Sequence, residues 1–225
     1  MTGVWAIVPV KELEGAKQRL SSCLTPGERR ELAAIMLEDV LDAVCAVEAL
    51  AGVLVVTADP FAAALAGRYG ARVVADGARD GHTGAVTAAA RLLAREGKPG
   101  MTTLPGDIPR LSPAEIAATL AAHRSAPAFT IVPAHDDLGS NMIVCSPPDF
   151  VPLRFGEDSF YPHLDVARRC GIDPLVVRQP GIEMDIDNPV DLVAFLRMSP
   201  PTPTKTSAFL EQSGVARRLL ANTDL

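Results

Sequence analysis

Short apolar segments alternate with capped, helix-forming segments over residues 4–133, and this alternation constrains the fold more than any other feature of the sequence. Runs such as Val4–Val10 and Val53–Thr57 have the length and β-branched content of buried strands. Between strands, Thr25–Glu28 and Ser112–Glu115 each place a hydroxyl residue three positions before Glu, with Pro at the first helical position, which is typical of helix N-termini. Strands that alternate with helices through short links predict a mostly parallel, doubly wound α/β sheet.

The composition fits one large domain with an aliphatic core. The chain has 225 residues, of which 48% are hydrophobic but only 4% aromatic. Its net charge of −6 argues against a protein that holds nucleic acid by releasing counterions from the phosphate backbone. A nucleotide needs only a local cluster of Lys and Arg, so the charge leaves nucleotide binding open.

The sequence predicts a cytoplasmic protein without a membrane segment. The four cysteines lie far apart and form no CxxC pair, which argues against a zinc site or a redox dithiol. The N-terminus begins with a strand-like run and has neither a basic segment nor a cleavage site. No apolar run approaches the roughly 20 residues of a membrane-spanning helix.

The first candidate for function is Asp107, in the segment Met101–Leu111. A short apolar run reads as a buried strand, and the turn at Pro105-Gly106 places Asp107 just beyond its carboxyl end. Open α/β sheets bind ligands at this end of their strands, where a carboxylate suits a hard cation or a ribose hydroxyl. The alternative is an Asp that only closes its own turn.

The loop after the first strand contains three cations within nine residues, Lys11, Lys17 and Arg19. Such charges are often only solvated surface, but this loop leaves the carboxyl end of a strand, which favours a function. A second candidate loop, Asp80–Gly84, precedes a predicted helix over residues 85–94 and offers free backbone N–H groups to an anion or a base edge. It also fits an ordinary helix start, and His82 is expected to be a surface residue rather than a ligand.

Three further carboxylates, Glu183, Asp185 and Asp187, alternate in a segment that we predict to be extended, with all three on one face. Like charges so close repel one another unless a cation is present, and Mg²⁺ is commonly held by one or two carboxylates together with phosphate oxygens. The alternative is that Asp187-Asn188-Pro189 caps a last helix over Val190–Leu196. A metal and the cations of the first loop would together bind a nucleoside triphosphate.

Other nucleotide and nucleophile motifs are missing from the sequence. There is no Walker A pattern and no GxGxxG, so neither a P-loop nor a dinucleotide fold is indicated. There is also no GxSxG nucleophile elbow.

With these residues assembled, the chain resembles the MobA-like nucleotidyltransferases, and within them the 2-phospho-L-lactate guanylyltransferase (CofC/FbiD) branch of coenzyme F-420 biosynthesis. The matching segments are Pro9–Lys11, Ala16–Leu20, Leu104–Pro109, Gly139–Asn141, Gly156–Phe160 with His163, and Asp185–Pro189. They span roughly residues 4–196. The resemblance implies a single-domain, mostly parallel, Rossmann-like sheet of the GT-A-like nucleotidyltransferase type, flanked by helices. This domain would cover residues 1–198, and residues 199–225 would form a Pro/Thr-rich linker and a C-terminal tail.

The resemblance implies transfer of GMP from GTP, with Mg²⁺ as cofactor, to the phosphate of 2-phospho-L-lactate, phosphoenolpyruvate or 3-phospho-D-glycerate. By matching positions, it implies catalytic roles for Lys11, Lys17, Arg19 and Asp107, metal binding by Asp107, Glu183, Asp185 and Asp187, nucleotide contacts from Pro9, Gly81, Thr83, Pro105 and Gly106, and acceptor contacts from Ser140, Asn141, Gly156 and Ser159.

Two positions depart from the family pattern. His82-Thr83 stands where many relatives have Leu-Asn, which leaves the preference for guanine open, and Ser140 stands where Thr is common but keeps the hydroxyl. The alternatives are transfer to another acceptor, such as a sugar phosphate or molybdopterin, and a nucleotide-binding module without catalysis. The tail after Met198 lies outside the resemblance; it is expected either to form a helix that docks on a neighbour, possible in a homodimer, or to stay mobile.

Overall fold

A computed structural model describes residues 3–156, 158–198 and 203–221, which form one sheet with helices on both faces. The strands are β1 (Val4–Pro9), β2 (Leu50–Val56), β3 (Arg72–Val74), β4 (Gly100–Thr103), β5 (Ala128–Pro133), β6 (Ser140–Ser146) and β7 (Leu175–Val176). Their order is β3-β2-β1-β4-β6-β5-β7. Only β6 runs antiparallel to its neighbours β4 and β5. The prediction of a mostly parallel α/β sheet is confirmed.

Helices occupy most of the connections between the strands, and, in the part of the chain that the structure describes, four more follow the last strand. They are α1 (Pro26–Cys45), α2 (Pro60–Arg68), α3 (Gly81–Arg95), α4 (Pro113–Ala122), α5 (Phe160–Arg169), α6 (Pro180–Glu183), α7 (Pro189–Arg197), α8 (Lys205–Gln212) and α9 (Val215–Ala221). Both predicted capping boxes are present, with Thr25 at the start of α1 and Ser112 at the start of α4. No helix in the described ranges is both long enough and apolar enough to cross a bilayer.

The aliphatic core lies in two layers, one on each face of the sheet. The alternation of β1 divides it: Ala6 and Val8 pack into the layer that contains α1, α2 and α4, whereas Ile7 packs into the layer that contains α3 and α5. β1 is buried on both faces because its neighbours β2 and β4 pair with it in parallel and helices cover both sides. The carboxyl ends of β1 and β4 are thereby fixed side by side.

The C-terminal helices pack against the same domain. Asp39 of α1 accepts hydrogen bonds from the backbone N–H groups of Lys205 and Thr206 and from the Thr206 hydroxyl, at 2.6–2.9 Å. Leu210 and Val215 are fully buried in a third apolar cluster with residues of α1 and α7. Of the predicted linker, residues 199–202 lie outside the described ranges, and its second half is helical because α8 begins at Lys205.

The segment around Glu183 and Asp187 is not a strand, and that prediction is wrong. Pro180 starts the single turn of α6, and an irregular segment then continues to α7. Ile182, Met184 and Ile186 are buried, so the alternating apolar pattern is real, but the N–H of Ile186 donates to the backbone oxygen of Asp107 rather than to a sheet partner. The segment therefore crosses the end of the sheet beside Asp107.

Candidate active site

A wide cleft of about 1120 Å³ opens where the carboxyl ends of β1 and β4 meet the first residues of antiparallel β6. Its lining includes every site residue predicted from the sequence except Glu183. The chain reversal that makes β6 antiparallel is what brings Ser140 and Asn141 to this end of the sheet. These two residues are the first two of β6.

The centre of the cleft is an ion cluster built on Lys17. Its Nζ lies 2.6 Å from Oδ2 of Asp107 and 2.7 Å from Oδ1 of Asp187, and its side chain is only 10% exposed. Burial lowers the pKa of the Lys17 ammonium, but the charges of the two carboxylates outweigh burial, so this pKa is raised above its ordinary value. The ammonium thus lies between the carboxylates that the sequence had assigned to a metal.

Lys17 reaches this position through an unusual backbone conformation. It has φ 53°, in the left-handed region, at the start of the short 3-10 turn Gln18–Leu20. Non-glycine residues adopt this conformation rarely and at some cost in free energy. The turn is held in place because Leu20 is fully buried in the third apolar cluster.

The surroundings of Asp185 disfavour its charged form. Burial, and secondarily the charge of Asp107, raise its pKa to about 6, although a hydrogen bond from Asn141 acts in the opposite direction. The Asn141 amide donates to Oδ1 of Asp185 at 3.1 Å and to the backbone oxygens of Ile182 and Glu183. Asn141 therefore anchors the Asp185 segment, a role that the sequence did not suggest.

Asp187 and Asn188 divide two roles between them. The Asn188 side chain accepts from the N–H groups of Val190 and Asp191 and so caps α7, as one alternative proposed. The Asp187 side chain is left free to bind Lys17. Burial raises the pKa of Asp187, but Lys17, then Arg19 and Lys11, outweigh burial and lower it. The cationic loop and the carboxylates thus face the same space.

Glu183 lies apart from this cluster. One of its carboxylate oxygens accepts the N–H of Gln179 at 2.6 Å, and the other lies 2.7 Å from the guanidinium of Arg178. Both oxygens are therefore engaged outside the cleft. By contrast His135, which the sequence reasoning missed, has ring nitrogens 3.6 Å from Asp185 and 3.7 Å from Asp191. A lone His in a polar loop does not by itself predict contact with these carboxylates.

The glycine-rich loop is the first turn of α3, which begins at Gly81 and not after Gly84. Gly81 has φ +74°, and a Cβ on Gly84 would lie 2.3 Å from the Cβ of Asp80. Backbone conformation at Gly81 and lack of space at Gly84 therefore favour glycine at both positions. The Thr83 hydroxyl accepts the backbone N–H of Phe155 at 3.0 Å. Thr83 thereby fixes the loop that follows β6 against the start of α3.

His82 is not the surface residue that the sequence predicted. Its ring packs 4.2 Å from the ring of Phe155, centroid to centroid, and both residues line the cleft. Burial lowers the pKa of His82 to about 4, so the imidazole is neutral at pH 7. The two rings therefore add an uncharged surface to the cleft.

Two buried serines also line the cleft. Ser140 begins β6 and Ser159 precedes α5, and their hydroxyl oxygens lie 3.2 Å apart. Gly156, in the connection between them, is exposed, and a Cβ there would meet no atom within 4 Å. A small polar anion could reach both hydroxyls from the cleft.

Comparison with known proteins shows the family to which this chain belongs. A family model described as "Guanylyl transferase CofC like" matches residues 4–218. The chain belongs to this family. A phosphoenolpyruvate guanylyltransferase from Conexibacter woesei is 37% identical over 191 residues, which cover 84% of this chain and 86% of that protein. The match to the family continues past Met198 and covers α8 and the first half of α9, so the prediction that the similarity ends near residue 196 is wrong.

Solved structures share the fold at low sequence identity. A protein from Desulfovibrio desulfuricans G20, described as a nucleotide-diphospho-sugar transferase, has a TM-score of 0.77 at 20% identity, and the match covers 97% of this chain and 99% of that one. Glucosyl-3-phosphoglycerate synthase from Mycobacterium tuberculosis, solved with Mn²⁺ and UDP, has a TM-score of 0.51 at 13% identity, covering 98% and 78%. The GT-A-like fold predicted for this guanylyl transferase family member is confirmed, and so is its class as a nucleotidyltransferase.

Proposed function

We propose that this enzyme transfers GMP from GTP to the phosphate of a three-carbon acid and releases pyrophosphate. The acceptor is 2-phospho-L-lactate, phosphoenolpyruvate or 3-phospho-D-glycerate, and the name of the 37% identical relative makes phosphoenolpyruvate the first to test. The product would serve coenzyme F-420 biosynthesis, as the family resemblance implies.

One observation supports this function most strongly: a cationic loop, a carboxylate cluster and a pair of hydroxyls line the same cleft. The net charge of the chain is −6, so two anionic substrates can meet only where the charge is locally reversed. Lys11, Lys17 and Arg19 line the part of the cleft that would receive the triphosphate. Ser140 and Ser159 line the part that would receive the acceptor.

The reaction requires no covalent intermediate with the protein and no general base. An oxygen of the acceptor phosphate forms a bond to the α-phosphorus of GTP, and the bond from that phosphorus to the bridging oxygen of pyrophosphate breaks, with its electron pair leaving on pyrophosphate. A phosphate monoester is largely dianionic at pH 7, because its second pKa is about 6, so no general base is required. The protein positions the two reactants and neutralises charge, with the cationic loop against the leaving group.

The carboxylate cluster fits a divalent cation. Lys17 already holds a positive charge between Asp107 and Asp187, which a metal would replace. In the three described stretches of chain, no three His, Cys, Asp or Glu side chains form a complete metal site. Mg²⁺ does not need one, because it commonly takes one or two carboxylates and completes its octahedron with waters and phosphate oxygens. Asp107 and Asp187, with Asp185 adjacent, would hold it, and the metal would neutralise charge on the phosphates.

The remaining assignments are parts of the same proposal. Pro9, Pro105 and Gly106 line the cleft beside the cationic loop and would contact the nucleotide, together with Gly81 and Thr83. Because GTP is a cytoplasmic metabolite, the reaction would take place in the cytoplasm. We also propose that residues 1–198 form the catalytic domain and that the protein is a homodimer. Sedimentation analysis would test the homodimer.

A panel of triphosphates and acceptors tests the function. GTP, ATP, CTP and UTP are each combined with the three acids, with and without Mg²⁺, and pyrophosphate release is followed. We expect release from GTP with at least one acid, and only with Mg²⁺. Asp107→Asn should lower turnover by about 100-fold or more, while the control Asp149→Asn, at an exposed carboxylate, should not. Absence of pyrophosphate release from every pair would refute the proposal.

A further inference from the structure

A buried histidine lies directly behind the serine pair. His163 of α5 is 1% exposed and does not line the cleft. Its Nδ1 lies 2.9 Å from the hydroxyl of Ser140, and its Nε2 accepts the backbone N–H of Arg154 at 3.0 Å. The ring of Phe155 packs edge-on against it, 5.0 Å between centroids. Three contacts therefore fix the orientation of this imidazole.

The partners of the imidazole determine where its proton lies. A backbone N–H can only donate, so Nε2 must be the unprotonated nitrogen, and in a neutral ring the proton is then on Nδ1. Burial, and to a smaller extent repulsion from His82 when both rings are protonated, lower the pKa of His163 to about 4, so the ring is neutral at pH 7. Nδ1–H consequently donates to the Ser140 oxygen.

This donation fixes the polarity of the serine pair. With the Ser140 oxygen already accepting from His163, the two hydroxyls hold two protons, and one of them serves the 3.2 Å contact between Ser140 and Ser159. The other hydroxyl proton has no acceptor among the residues that the structure describes. Because both hydroxyls line the cleft, this proton is available to an anion there. The pair therefore presents a hydrogen-bond donor to the cleft.

We infer that His163 is a positioning residue that orients the Ser140–Ser159 pair to donate a hydrogen bond to an anionic group of the acceptor. This inference rests on the proposed function for the identity of the acceptor. It assigns His163 no contact with either substrate and no transfer of a proton. It also gives a physical reason for a neutral, fully buried imidazole at this position, which a packing role alone does not require.

Two variants separate orientation from packing. His163→Phe keeps an aromatic ring beside Phe155 but removes both the donor to Ser140 and the acceptor of the Arg154 N–H. His163→Asn places an amide N–H near the position of Nδ1 and restores that donor. The double variant His163→Phe/Ser140→Ala tests whether the histidine acts through the serine, because effects exerted through one group are not additive. Thermal unfolding of each variant reports whether the fold is intact.

The measurements are KM for phosphoenolpyruvate, KM for GTP, and calorimetric binding of phosphoenolpyruvate. We expect His163→Phe to raise the KM and Kd for phosphoenolpyruvate about 10-fold or more, as for loss of a hydrogen bond to a charged group. The KM for GTP should change less than about twofold, and His163→Asn should recover most of the loss. Ser140→Ala should have no further effect in the His163→Phe background.

The outcomes distinguish this inference from the proposed function. Equal binding of phosphoenolpyruvate by wild type and His163→Phe would overturn the inference, as would a parallel rise in both KM values or fully additive effects. Failure of the wild type to bind any of the three acids would overturn it as well. Binding without pyrophosphate release would instead contradict the proposed function and leave the orientation of the serines supported.

Discussion

The buried charge on Asp185 lowers the free energy of unfolding at neutral pH, and Asp185→Asn should therefore stabilise the protein. Burial and the neighbouring charge of Asp107 hold its pKa at about 6, against 3.8 for an ordinary Asp. A carboxylate with a raised folded-state pKa binds its proton more tightly in the folded protein than in the unfolded chain. The free energy of unfolding therefore falls as the pH rises from about 4 to about 6.

The size of the effect follows from the two pKa values. At 1.36 kcal/mol per pH unit, the difference between 3.8 and about 6 amounts to about 3 kcal/mol at pH 7.5, and to about 1 kcal/mol at pH 4.5. Asn at this position keeps the oxygen that accepts from Asn141. The Asp185 side chain is 20% exposed, so water can reach the new amide. We expect a gain of about 2–3 kcal/mol at pH 7.5 that shrinks to about a third at pH 4.5.

Urea unfolding at both pH values measures this difference directly. Asp149→Asn, which removes an exposed carboxylate, is the control and should change the free energy of unfolding by less than about 0.5 kcal/mol at either pH. Turnover of Asp185→Asn should fall although its stability rises, because the carboxylate lies in the cluster proposed for the metal. A variant less stable than the wild type at pH 7.5, or a gain independent of pH, would refute the reasoning.

Two further predictions concern Lys17 and Thr206. Lys17→Met should lower kcat about 100-fold or more. Mg²⁺ alone should raise the Tm of Lys17→Met more than that of the wild type, because the metal no longer displaces an ammonium. An equal rise in Tm in variant and wild type would contradict this, as would an equal rise in the control Lys98→Met, whose ammonium lies over the ring of Trp5 outside the cleft. Thr206→Val removes one of three hydrogen bonds to buried Asp39 and should cost about 1–3 kcal/mol, or about 3–8 °C in Tm. Its turnover should match the wild type, and an unchanged Tm would show that this anchor contributes nothing.

The sequence by itself determined the sheet and the end of it that binds ligands. Strand and helix alternation, with capping boxes at Thr25 and Ser112, is local information, because each cap is made by residues three positions apart. Parallel strands joined by helices leave their carboxyl ends together, which is why Lys17 and Asp107 could be assigned to one site although 90 residues separate them. The chemistry of the side chains then indicated phosphate and a divalent cation.

Only the tertiary structure decided how those side chains pair. The alternation at Glu183, Asp185 and Asp187 fits a strand, but Pro180 and the packing of Ile186 against the end of the sheet turn it into an irregular crossing. Lys17 enters the carboxylate cluster because its backbone is left-handed. A lysine in a polar loop does not predict that conformation.

The orientation of the Ser140–Ser159 pair was also decided by the tertiary structure. His163, Ser140 and the backbone of Arg154 come from different elements, and the direction of each hydrogen bond depends on which partner can only donate. Such directions are set by distances between side chains far apart in sequence, in surroundings that exclude water. Local pattern placed Lys17 and Asp107 in the cleft, and burial together with long-range contacts determined the charges and protons of the residues there.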